Sequence, residues 1–125
     1  MTDIVKQMAY WQTGATDDFE SAKILIASNR LLHGLFFCHL VLEKAIKAHV
    51  VKSTGEIAPR SHNLVYLSEL AKLEFEEDDE MFLGILMKYQ LQGRYPDYNP
   101  TIPGHDKVAG YLKRTEKIML WLQAK

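Results

Sequence analysis

The chain has 125 residues, 47% of them hydrophobic and 25% charged, a balance that suits one domain with a real core and excludes global disorder. Fifteen basic residues against sixteen acidic give a net charge of −1, so there is no overall basic field and any nucleic-acid binding must come from a local patch. Cys38 is the single cysteine, which excludes an internal disulfide and a metal site built from several cysteines and points to a reducing, cytoplasmic setting.

The N-terminal "MTDIVKQMAYWQ" carries Asp3 early and no long apolar run, so it does not read as a signal peptide. From Asp3 to Ser28, Ile4, Met8, Trp11, Ala15, Phe19, Ala22 and Ile26 recur at three- and four-residue steps, the signature of one helical face. Gly14 sits inside this pattern, either as a tolerated glycine or as a break with Thr16 as a new N-cap. One long helix is the favoured reading. Asn29, a residue that accepts the left-handed conformation, is a natural stop.

Leu31 to Lys52 is the second helix and the most apolar. Phe37, Cys38, Val41, Leu42, Ala45, Ile46 and Ala48 cover a wide arc, so the helix is expected at the centre of the domain. Yet it also carries His39, Glu43, Lys44, Lys47 and His49, which excludes a membrane span. His39, Glu43 and Lys47 stand four residues apart and share a face. They are either helix-surface pairs worth about 0.2–0.5 kcal/mol each or a polar seam turned towards a ligand or partner.

"STGEIAPRSHN" reads as a loop, with Gly55 and Pro59 as breakers and Ser61 or Asn63 as the cap of a short helix from Leu64 to Leu73. His62 opens that helix; its ring can hydrogen-bond a loop carbonyl, or, titrating near neutrality, contact a phosphate or base. "EFEEDDE" reads as a solvated acidic linker feeding a fourth helix, about Asp78 to Leu91, ended by Gly93. "RYPDYNPTIPGH" is excluded from helix by its three prolines. There Arg94 offers a planar fork for phosphate or, on the plainer reading, caps the preceding helix with Asp97 as its counter-ion; Tyr95 and its neighbours stack on a base or pack. The last helix runs from His105 to Gln123. No period-two stretch occurs, so the expected class is all-α: an antiparallel up-down bundle of four main helices plus one short helix, in a single domain over residues 1–125. No His-x-x-x-His pair and no phosphate-cradling glycine loop is present, so no metal and no cofactor are expected.

"FFCHLVLEKAIKAHV", then "SHNLVYL", then "GRYPDYNP", in that order, resemble the HEPN family, the higher eukaryotes and prokaryotes nucleotide-binding domains. Trp11, Ala15, Asp18 and Ala22 stand where that family has a tryptophan, alanines and an acidic residue, and the resemblance covers nearly the whole chain. It implies a helical bundle, frequently a homodimer, working as a nucleotide- or nucleic-acid-linked module beside a minimal nucleotidyltransferase, often as a toxin–antitoxin pair. Glu43 and Lys44 match the family's "EKA", and His62 matches its histidine. With them Arg94, Tyr95, Asp97, Lys47 and His39 make up the expected ligand-binding set. Some members are metal-independent RNases marked by an arginine, four to six residues and then a histidine. Here ten residues separate Arg94 from His105, so a nuclease would have to bring Arg94 together with His105 or His62 in space. A structural dimer with no small ligand is the third reading.

Overall fold

A computed structural model describes residues 3–89 and 101–125. They form five helices and no strand: α1 (Ile4–Ala27), α2 (Leu31–Thr54), α3 (Leu64–Leu70), α4 (Glu77–Met87) and α5 (His105–Gln123). The all-α bundle of four main helices and one short helix is the architecture that the periodicity predicts. None of the described helices is long and apolar enough to cross a membrane.

The ends of the helices follow from their capping chemistry. Asp3 starts α1, its side chain accepting from the Lys6 amide at 3.0 Å. Asn29 stops it at φ +62°, with the Arg30 amide donating back to Leu25 O at 2.8 Å and the Asn29 amide to Ile26 O at 3.0 Å, a Schellman closure. Gly55, at φ +71°, ends α2. Asn63, rather than Ser61, caps α3 by accepting the Tyr66 amide at 3.0 Å. The third helix is shorter than its apolar pattern predicts, because Lys72 turns left-handed (φ +56°) and the Leu73 amide closes onto Ser68 O at 3.0 Å. The acidic run is less a linker than a helix start: Glu77, Asp78, Asp79 and Glu80 fill the first turn of α4, where the helix dipole favours negative charge. The expected end of α4, near Leu91 and Gly93, lies outside the described residues.

The second helix packs against all four others. Leu35, Val41, Leu42, Ile46, Val50 and Val51 meet Phe19, Ala22 and Ile26 of α1, Leu64 and Leu67 of α3, Phe82, Leu83 and Leu86 of α4, and Val108, Ile118 and Leu122 of α5 in one core. Each fully buried leucine or isoleucine contributes about 1.5–3 kcal/mol relative to exposure. The α1–α2 hairpin closes tightly at Gly34, where any Cβ would run into the Ile26 side chain.

Candidate functional site

The polar residues of α2 turn towards several neighbours. His39 and Glu43 face the loop that leads into α3, and Lys47, one turn on, joins Glu43 while lying over Trp11 of α1; Lys44, one step round from Glu43, faces α1.

Glu43 is the centre of the first group. The residue is buried, 4% exposed. Oε2 accepts from Lys47 Nζ at 3.2 Å, and Oε1 accepts from His62 Nδ1 at 2.9 Å. Lys47 is equally buried, and its ammonium lies 5.1 Å from the centre of the Trp11 ring. His39 Nε2 donates to the main-chain carbonyl of His62 at 3.0 Å. A carbonyl only accepts, so this bond fixes the proton of a neutral His39 on Nε2 and leaves Nδ1 bare, buried and without a hydrogen bond, 3.7 Å from Glu43 Oε1. Burial lowers the His39 pKa below its ordinary value, outweighing the attraction of Glu43 and the bond to the His62 carbonyl, with the Lys47 ammonium acting in the same direction as burial, so the ring is neutral at neutral pH.

Two helix turns and a loop are thereby tied at one point: α2 holds both the backbone of residue 62 and its ring. The flanking residues are held too. Ser61 Oγ accepts the Asn63 amide at 3.1 Å, and Asn63 is the α3 cap. Among the described residues the ring of His62 docks on a carboxylate, not on the loop carbonyl of the plainer sequence reading. With Nδ1–H engaged and the side chain 46% exposed, Nε2 is the ring atom without a partner among the described residues. A carboxylate that orients one nitrogen of an accessible imidazole leaves the other to accept a proton, or, once protonated, to donate to an anion.

Lys44 leaves this group. Its Nζ lies 2.7 Å from Asp18 Oδ2, and its stem crosses α1 over Gly14, where a Cβ would come within 3.0 Å of Lys44 Cδ. Gly14 therefore does not break the helix; α1 runs through it, and its missing side chain makes room for a lysine from the neighbour. His105 opens α5 as an exposed residue, its ring 3.8 Å from Asp106 of the same helix turn. Arg94, Tyr95 and Asp97 lie outside the described residues.

Three residues that the expected ligand-binding set omits are the partners of α2 side chains or polar α2 side chains themselves: Asp18, Trp11 and His49. Asp18 and Trp11, seven residues apart on the same stripe of α1, meet Lys44 and Lys47 of α2; that pairing of two spacings was the available signal. His49 is buried, and its Nε2 lies 2.6 Å from Leu122 O near the end of α5, where a ring N–H satisfies a terminal carbonyl. Nothing local in the sequence announces that pairing, which spans 73 residues. Cys38 is fully buried, and burial raises its thiol pKa to about 11, outweighing a side-chain hydrogen bond with Thr115, so at neutral pH it is a protonated packing residue and no nucleophile. Among the described residues no group of three or more His, Cys, Asp or Glu is arranged to hold a metal ion.

The sequence matches the family model described as HEPN domain over residues 8–125. The fold is similar to the crystal structure of an archaeal HEPN homologue, with a TM-score of 0.69 and 20% identity, over 94% of this chain and 95% of that one. No curated protein matches the sequence.

Proposed function

The chain belongs to the HEPN domain family, and from that premise we propose that it is a nucleotide- or nucleic-acid-linked binding module in which His62 contacts the ligand. One observation carries the reading: a half-exposed imidazole held through Nδ1 by a buried carboxylate, its other nitrogen unengaged among the described residues. A ring used only to pin a loop needs no exposed edge. Lys47 stays at its post against Glu43 and Trp11, so it acts on a ligand through the field it adds rather than by contact. Arg94, from the sequence, supplies the phosphate fork. The same reading takes the protein as a homodimer working beside a minimal nucleotidyltransferase, the partnership that the family resemblance implies.

The test is anisotropy of a fluorescein-labelled single-stranded RNA and of a labelled adenine nucleotide against the wild type, His62→Ala and Arg94→Ala. The expected result is a loss of affinity of about tenfold or more for Arg94→Ala, equivalent to 1.4 kcal/mol, and a smaller loss for His62→Ala, with thermal stability of the arginine variant unchanged. Equal affinity for all three proteins returns the protein to the scaffold reading.

The same geometry favours a second reading, a metal-independent RNase. A carboxylate-oriented histidine with an accessible Nε2 is the arrangement of a general base for a ribose 2′-hydroxyl, and an arginine would stabilise charge on the phosphate. Bulk RNA incubated with the protein in EDTA decides it: cleavage that disappears in both His62→Ala and Arg94→Ala supports the nuclease, and its absence leaves the binding module.

A further inference from the structure

Between α3 and the start of α4 lies a groove of about 380 Å³, lined by Val65, Ser68, Glu69, Leu73, Glu74, Phe75, Glu80 and Leu83. It shares no residue with the His62 site. Val65, Leu73, Phe75 and Leu83 supply its apolar surface, and three glutamates rim it with no lysine or arginine among the lining residues. None of the three has an ion-pair partner among the described residues. Asp79 and Phe75, in the same stretch of chain, show the contrast. Asp79 pairs with Arg114 of α5 at 3.1 Å, and the depression on that side of Phe75 is lined by Lys117 as well as by Glu74, Glu76 and Asp79. The acidic segment is thus countered by the chain's own cations towards α5 and left uncountered towards α3.

An unneutralised carboxylate rim around an apolar floor selects its occupant by complementarity. We infer that the groove docks a cationic segment of a partner polypeptide, one that carries lysines or arginines around a single aliphatic or aromatic anchor. The anchor enters between Leu73 and Phe75, and the basic side chains meet Glu69, Glu74 and Glu80. A second copy seated by a two-fold axis through the groove would set glutamate against glutamate, which is repulsive. A free cation or polyamine would leave Val65, Leu73, Phe75 and Leu83 unused, and a nucleic acid would be repelled. A groove of this size supports a weak, salt-sensitive contact rather than a permanent one.

Selection from a random-peptide display library on the immobilised full chain tests this without knowledge of the partner. The expected outcome is enrichment of sequences that combine several basic residues with one apolar anchor. The best of them, synthesised with a fluorophore, should lose at least tenfold in affinity on the Glu69→Lys/Glu74→Lys/Glu80→Lys chain and on its own anchor-to-serine version, and none on Glu20→Lys, a reversal on α1. No enrichment, enrichment without basic residues, or equal binding by the anchor-to-serine peptide overturns the proposal. So does self-association of the protein alone that the triple reversal abolishes, because the occupant would then be a second copy. Loss of the RNA binding or cleavage proposed above leaves this test unaffected.

Discussion

Two regions of this molecule treat the carboxylate in opposite ways. At Glu43 a single buried carboxylate engages a lysine and a histidine, with a second histidine ring at 3.7 Å. Along residues 74–80 six acidic side chains crowd together, and among the described residues Asp79 is the member with an ion-pair partner. Inside the bundle a charge is tolerated when close polar partners engage it; outside, water does that work, and the carboxylates stay available to other molecules. The difference predicts how each region responds to loss of a charge. Glu43→Ala should cost about 3–5 kcal/mol in urea denaturation, since it leaves the Lys47 ammonium buried and unpaired and frees the ring of His62. Glu74→Ala should stay within about 0.5 kcal/mol of the wild type. The double replacement Glu43→Leu/Lys47→Met should recover much of the loss, because an apolar pair of similar volume needs no partner. If Glu43→Ala is as mild as Glu74→Ala, the carboxylate is no hub.

A smaller effect sharpens the same contrast through pH. Burial holds the folded-state pKa of His39 below its unfolded value of about 6.5, with Glu43 pulling against it and Lys47 and His62 facing the same ring. Below pH 6.5 the unfolded chain therefore binds a proton that the folded chain resists. This contribution to stability is fully present above that pH, is lost as pH falls through the unfolded value, and levels off once the folded pKa is passed. His39→Gln keeps an N–H for the His62 carbonyl and does not titrate. Wild type minus His39→Gln, measured by urea denaturation from pH 8 to pH 5, should be flat above pH 7 and fall below 6.5. A difference that rises on acidification would mean that attraction to Glu43 outweighs burial.

How much of this was written in the sequence depends on the range of the interaction. Asn29, Gly55 and Asn63 announce helix ends because capping is local chemistry, decided within a few residues. The stacking of His39, Glu43 and Lys47 was legible for the same reason: a helix repeats every 3.6 residues whatever it packs against. Their meeting with His62 was not, since it depends on where the loop after Gly55 returns, 19 residues beyond Glu43. Lys44 shows the limit of adjacency. It sits beside Glu43 in the chain, but one residue of helix turns it away, towards an aspartate of α1 that only tertiary packing supplies. Gly14 has the same lesson in reverse, as a glycine whose reason lies in a side chain 30 positions further on. Lys72 ends α3 in a left-handed turn that its type does not favour, which is why the apolar pattern overshot to Leu73.

The smallest expected effect lies where the two regions come closest in kind, at the pair that the acidic segment does make. Arg114 is 40% exposed at its side chain and Asp79 15%, so their ion pair is partly solvated and should couple by about 0.2–1 kcal/mol in a double-mutant cycle. The single variants should nonetheless be unequal. The Arg114 guanidinium also lies 5.8 Å from the centre of the Phe82 ring, and Phe82 is core, 2% exposed, so Arg114→Ala removes packing that Asp79→Ala leaves in place. High salt separates the two contributions: raising it to about 1 M shortens the screening length to about 3 Å and should erase much of the coupling, while the excess cost of Arg114→Ala persists. A coupling of several kcal/mol that resists salt would mean that Asp79 behaves as Glu43 does, and the contrast between an engaged interior carboxylate and a solvated surface run would not hold along the whole of residues 74–80.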